Sequence, residues 1–158
     1  MGFEANTGLG VFNHYGARET GRGAGVFETD GLVNELVIDV NADLVSTGNF
    51  VVTPIIPKGA IILNAYATVT EVFALGGTTP TILIGTDGTE VTNGVVVTQA
   101  EAQAVGSYTL AAAGTWTGGT GLAADTTVGI ALGGTTPTIT TTGRMRVVIE
   151  FTKAAAVA

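Results

Sequence analysis

Arg144-Met145-Arg146-Val147-Val148-Ile149-Glu150-Phe151-Thr152 decides the class of fold. Met145, Val147, Ile149 and Phe151 alternate with Arg144, Arg146, Val148, Glu150 and Thr152. A period of two puts the apolar set on one face of a half-buried strand. Working back along the chain, Val128, Ile130 and Leu132 share a face in the same way. Residues 60–73 form the longest such run. There Ile61, Leu63, Ala65, Ala67, Val69 and Phe73 are expected on the core side, and Ile62, Asn64, Tyr66, Thr68, Thr70 and Val72 on the other. Glu71 marks the exit from the core, and Thr81–Thr86 is the expected return partner, with Ile82 and Ile84 inward. Nearer the start, Leu36, Ile38 and Val40 alternate with Glu35 and Asp39, and Phe50-Val51-Val52-Thr53 is a β-branched run stopped by Pro54.

Between these runs lie turn signals. Asn41-Ala42-Asp43 punctuates, Pro57-Lys58-Gly59 pairs a fixed φ with a permissive one, and Asp87-Gly88 and Asn93-Gly94 are hairpin-type dipeptides. Gln99–Val105 is the only helix-friendly segment, one or two turns long. Seven to nine short strands without a crossover helix predict an all-β fold, an antiparallel β-sandwich or a barrel.

Composition agrees. Of 158 residues, 24 are glycine and 27 threonine, while only 12% are charged, about half the usual share. Cysteine is absent and His14 is the single histidine, which excludes disulfides, a Cys-based zinc site and any scheme needing two histidines of one chain. A net charge of −7 is the wrong sign for neutralising phosphates, so no nucleic-acid partner is expected. No run of apolar residues is long enough to span a membrane. The opening MGFEANTGLG lacks the basic start and apolar stretch of a secretory signal, so synthesis in a cytoplasm without Sec export is expected.

Three blocks follow: residues 1–31 as an extended, glycine-rich N-terminal arm, 32–153 as the β-sandwich domain, and 154–158 as a short tail. A disordered linker is the plainer reading of the first block, but Phe3, Phe12, Tyr15 and Phe27 are large aromatics that linkers usually lack. They read as anchors of an arm that becomes ordered against a neighbouring subunit or a larger surface. Trp116, in a long polar connection, is a fifth candidate interface residue, since aromatics are enriched at interfaces; it could equally anchor its own loop.

Ala74-Leu75-Gly76-Gly77-Thr78-Thr79-Pro80-Thr81-Ile82 recurs unchanged at residues 131–139. Two copies are too few for a solenoid. Each copy reads as a hairpin connection, either a turn selected twice for its geometry or two loops meeting one partner.

Sites of chemistry are hard to assemble. Gly21-Arg22-Gly23-Ala24-Gly25 lacks the strand and helix that flank a phosphate loop. Residues 118–125 approach a calcium nonapeptide, but Ala123 stands where aspartate is wanted. Asp87 and Glu90 could hold a weakly bound calcium ion, though an exposed polar turn explains them better. Ser46 and Ser107 sit in no nucleophile elbow, and nothing singles out Glu71, Glu101, Asp125 or Glu150 as paired carboxylates. Neither an enzyme nor a cofactor is expected.

The segment Ile56-Pro57-Lys58-Gly59-Ala60-Ile61-Ile62, running into Val69-Thr70-Glu71-Val72-Phe73 and then residues 76–85, has a recognisable style. So has the closing Thr142–Thr152. Across residues 50–152 the chain resembles small structural proteins of tailed bacteriophages, in particular head decoration (cement) proteins. The resemblance rests on "P-x-G-A, long strand, Gly/Thr turn" and a final strand after Thr-Gly-Arg, and it transfers no functional residue. It implies a sandwich of the jelly-roll kind and a homotrimer on the outer capsid surface of a virion, made in the host cytoplasm. Its partners would be the major capsid protein and other copies of itself, and its task would be clamping neighbouring capsid proteins. A receptor- or glycan-binding β module of a phage tail or head fibre is the alternative; Tyr66, Tyr108 and Trp116 are its candidate sugar-stacking residues.

Overall fold

A computed structural model describes residues 11–14, 24–29, 33–46, 50–117, 120–140 and 142–152, with 11–14, 24–29 and 53–54 described by their backbone. Among the described residues ten strands follow in order: β1 (Val11–His14), β2 (Ala24–Thr29), β3 (Asn34–Asn41), β4 (Phe50–Ile56), β5 (Ile61–Glu71), β6 (Leu75–Thr86), β7 (Gly94–Val97), β8 (Gly106–Thr109), β9 (Thr126–Ile139) and β10 (Arg144–Thr152). Two short helices, α1 (Ala42–Ser46) and α2 (Gln99–Ala102), interrupt them. All pairing is antiparallel, in a six-stranded sheet ordered β1-β2-β3-β10-β5-β8 and a four-stranded sheet ordered β4-β9-β6-β7. Without β1 and β2 this is the eight-strand jelly-roll order, with the chain changing sheets at every connection but β6 to β7.

The inward rows are those that period two predicts for β3, β9 and β10. Leu36, Ile38, Val40, Val128, Ile130, Met145, Val147, Ile149 and Phe151 are all buried in one core. In β5 the phase changes part-way. Glu150 pairs with Asn64 but Phe151 pairs with Ile62, so Leu63 is the extra residue of a bulge. Ile62 therefore points inward and Leu63 is 50% exposed, the reverse of the sequence expectation.

Thr81–Thr86 does not return against residues 60–73. β5 pairs with β10 and β8, whereas β6 belongs to the other sheet, and the chain crosses over at Val72–Ala74 with Phe73 plugging the gap. Pro54 does not end its strand either. The register of β4 on β9 slips between Val52 and Ile55, and Pro54 sits in that slip on an edge strand, where its missing N–H is tolerated. Asn41 caps α1, its Oδ1 accepting from the Leu44 N–H at 2.9 Å. A capping box between Thr98 and Glu101 starts α2.

The N-terminal block is described in two stretches, 11–14 and 24–29. Its described parts are strands: β1 pairs with β2, and β2 adds to β3 with Ala24 opposite Ile38 and Phe27 opposite Glu35. They extend the chain's own sheet by two strands.

Candidate interaction surface

The repeated nine residues are not turns. Apart from Ala74 they lie inside β6 and β9 and pair with each other, which only an antiparallel arrangement of identical segments can do symmetrically. Leu75 faces Ile139 while Ile82 faces Leu132; Gly76 faces Thr138 while Thr81 faces Gly133. A local two-fold axis thus runs through the ribbon near the Thr78–Thr135 pair. The backbone obeys it closely: φ is +106° at Gly77 and +110° at Gly134, and +48° at Thr79 and +47° at Thr136. A Cβ on Gly77 would lie 2.6 Å from the Thr136 carbonyl oxygen, and one on Gly134 would lie 2.7 Å from that of Thr79. Positive φ at a β-branched residue is a strained conformation. Register shifts on either side of Thr78 accompany it. Gly77, Thr78, Thr79, Gly134, Thr135 and Thr136 are exposed.

The rest of the outward surface of this sheet is equally plain. None of its four strands carries a charged residue. Gly129, Gly85 and Gly94 form a cross-strand row on its outer side. Into the space they leave folds the loop 87–93, whose Glu90 carboxylate packs on Gly129 and accepts the Gly88 N–H at 3.0 Å. Glu90 is 6% exposed while Asp87, Gly88 and Thr89 are exposed, so the polar turn that the spacing implies is open except at Glu90. Among the described residues no three His, Cys, Asp or Glu side chains gather as a metal-binding group. Asp125 serves the fold, accepting the Lys58 backbone N–H at 2.8 Å.

The outward face of the six-stranded sheet is chemically richer. Across it run three rows: Glu35–Glu150–Asn64, then Val37–Val148–Tyr66–Thr109, then Asp39–Arg146–Thr68–Ser107. Arg146 grips Asp39 with two hydrogen bonds of 2.7 and 3.1 Å. These bonds, and then the charge of Asp39, hold the guanidinium above its ordinary pKa. Arg144 pairs with Glu71 at 3.4 Å. The Tyr66 hydroxyl donates to Glu150 at 3.4 Å. Burial first, then the Glu35 and Glu150 charges and that hydrogen bond, raise the pKa of the phenol.

Of the five aromatic residues expected at an interface, Phe3 and Tyr15 lie outside the described residues. Phe12 and Phe27 fall on β1 and β2, opposite Glu28 and Asn13. Trp116 is 1% exposed, in a 3-10 turn at Gly114–Trp116, and its indole N–H donates to Thr86 Oγ1 at 3.1 Å. It pins its loop to the core and presents no surface to a partner. Tyr108 is turned towards the core side, opposite Ala67, and its hydroxyl donates to the Ala104 carbonyl at 3.1 Å. Of the seven large apolar side chains exposed among the described residues, two lie close to one another: Val72, 44% exposed at the sheet crossover, and Val105, 67% exposed after α2. Backbone bonds bring their segments together, Phe73 N–H donating to the Ala102 carbonyl at 2.9 Å. Both stand beside the ribbon, where the Gln103 side-chain amide donates to the Leu75 carbonyl.

No family model matches the chain, and no curated protein matches it. Among solved structures, it is similar to a chain of the cyanophage Pam1 capsid asymmetric unit, at 17% identity and a TM-score of 0.49, over 88% of this chain and 91% of that one.

Proposed function

We propose that the chain is a structural virion protein that binds the outer surface of a phage capsid as a homotrimer and stabilises it by clamping neighbouring major capsid proteins. Its work is then the burial of surface and not a reaction. The observation that carries this reading is the uneven surface: a chain of net charge −7 builds one sheet of its sandwich with no charge in any strand. Charge depletion of this kind marks the cores of protein interfaces. The sequence likeness to decoration proteins falls on residues 50–152, the stretch that forms the jelly roll from β4 onward. Jelly rolls serve in capsids but also in lectins, so the fold alone does not choose between them.

The test is reconstitution. Purified protein is mixed with phage capsids that lack an outer-surface protein, and the pellet and its heat-induced DNA release are measured. Saturable binding at local three-fold positions with later DNA release is the expected result; absence of binding overturns the proposal. The glycan-binding alternative draws on one feature, Tyr66 half-exposed among Asn64, Glu150 and Thr109 on a polar sheet face. A glycan array gives it a positive signal only if that alternative holds, and a Tyr66→Ala variant would then lose it.

A further inference from the structure

We propose that the repeat ribbon, residues 75–81 of β6 paired with 133–139 of β9, is a two-fold contact surface whose occupant is the same ribbon of a second copy of this chain. This goes beyond capsid binding and does not depend on it.

Charge is the first ground. Residues 72–86, 102–124 and 126–143 contain no charged side chain. Of the charges that border this end of the sandwich, Arg144 is paired with Glu71, Glu101 is held in the α2 capping box with its Oε2 accepting the Thr98 N–H at 2.8 Å, and Asp43 stands exposed on α1, beside β9 and off the ribbon itself. Two copies that each carry −7 repel wherever charged surfaces meet. They can approach without apposing like charges at this ribbon. An oppositely charged partner would instead be steered by a charged face. A neutral face with exposed Val72 and Val105 at its margin therefore suits a like-charged partner, and a second copy is the one such partner that the charge balance itself defines.

Symmetry is the second ground. Contacts between two copies related by a two-fold axis use the same patch on each. The ribbon already carries its own local two-fold, so each contact made by Gly77–Thr79 has a twin at Gly134–Thr136. An isologous pairing of ribbons would use every such contact in both halves of both copies. A partner without two-fold symmetry could engage only one half at a time.

Thr79 and Thr136 make the test clean. Both hold φ near +48° and both are exposed, and asparagine and aspartate accept that backbone region better than threonine. The double variant Thr79→Asp/Thr136→Asp therefore adds charge without adding backbone strain, and Thr79→Asn/Thr136→Asn relieves the same strain without charge. Thr109→Asp, exposed on β8 of the other sheet, is the control for added charge elsewhere. Sedimentation of the full chain over a concentration series reads the mass, and thermal unfolding checks that each variant folds.

The expected result is self-association of the wild type that is kept by the Asn/Asn variant and by Thr109→Asp. The Asp/Asp variant should show half the mass: dimer to monomer, or hexamer to trimer if trimers form through another surface. A wild type that stays monomeric at every concentration overturns the inference, as does an Asp/Asp variant with unchanged mass. A trimer whose mass ignores the ribbon variants, yet binds capsids, refutes the ribbon contact and leaves the capsid proposal standing. Halving of the mass in a protein that ignores capsids does the reverse.

Discussion

On the six-stranded sheet the outward row Asp39–Arg146–Thr68–Ser107 is made of side chains that answer one another across strands. At the equivalent place on the four-stranded sheet stand Gly129, Gly85 and Gly94, which offer no side chains at all. The inward rows do not differ in this way: Ile84 and Ile130 of one sheet and Val147 and Ile149 of the other are buried alike. So the two sheets obey one rule towards the core and opposite rules away from it. A sheet face that must live in water gains from cross-strand ion pairs and hydroxyl pairs, each contributing about 0.2–1 kcal/mol. The second face forgoes them. Its specificity lies in backbone shape instead, in a row of glycines that admits the Glu90 loop and in a ribbon with paired left-handed residues.

The sharpest way to break this contrast is to give the ribbon side chains where it has none. Gly77→Ala and Gly134→Ala each force a Cβ against a backbone carbonyl at positive φ. Each should lower unfolding stability by about 1–3 kcal/mol, with matched losses because the two sites are related by the local two-fold. Chemical denaturation of both single variants is the measurement. A large loss at one site and none at the other would deny the ribbon its symmetry. Gly88→Ala also sits at positive φ, but a Cβ there meets nothing within 4 Å, so it separates backbone strain from collision.

Much of the sandwich was readable from periodicity because β3, β9 and β10 are regular and bury one face. What sequence pattern could not show were the non-local choices. Gly-Gly followed by Thr-Thr-Pro is a turn signal by local chemistry, and it becomes strand only because an identical segment lies antiparallel beside it. Leu63 carries no mark of a bulge; the misfit arises from β10, which places Glu150 against Asn64 and Phe151 against Ile62. Val72-Phe73-Ala74 looks like the tip of a hairpin, but burial of Phe73 sends the chain to the other sheet. Trp116 illustrates the same difficulty at the candidate surface. An aromatic in a polar loop suits an interface or an anchor equally, and Thr86, thirty residues earlier, decides for the anchor.

A smaller effect distinguishes the sheets by their response to salt. Arg146→Ala removes the two-point grip on Asp39, whose partners are both more than half exposed, and should cost about 0.2–1 kcal/mol at low ionic strength. Added salt should shrink that cost, because exposed charges are screened over about 10 Å at 0.1 M. Thr135→Ala, exposed on the ribbon, removes no charge, and its cost should be indifferent to salt. Equal salt dependence in the two variants would show that the outward faces are not electrostatically different.

The smallest effect belongs to Tyr66 and concerns pH. Its phenol is raised above the ordinary value near 10 by burial, then by the charges of Glu35 and Glu150 and the hydrogen bond to Glu150. Folding therefore favours the neutral phenol, and the unfolded chain loses its proton first as pH rises. Stability from this group is fully present below the unfolded value, falls as pH climbs through the interval between the two values, and is lost once the folded phenol ionises. Tyr66→Phe cannot ionise, so unfolding curves taken from pH 9 upwards (about the ordinary value and beyond) should decline less steeply for the variant than for the wild type. Below that range the two slopes should coincide. Because no strand of the four-stranded sheet carries a titratable side chain, the whole alkaline difference must come from the charged face. Identical slopes would mean that neither burial nor the charges of Glu35 and Glu150 raise the Tyr66 phenol, and the row that joins them would lose its electrostatic character.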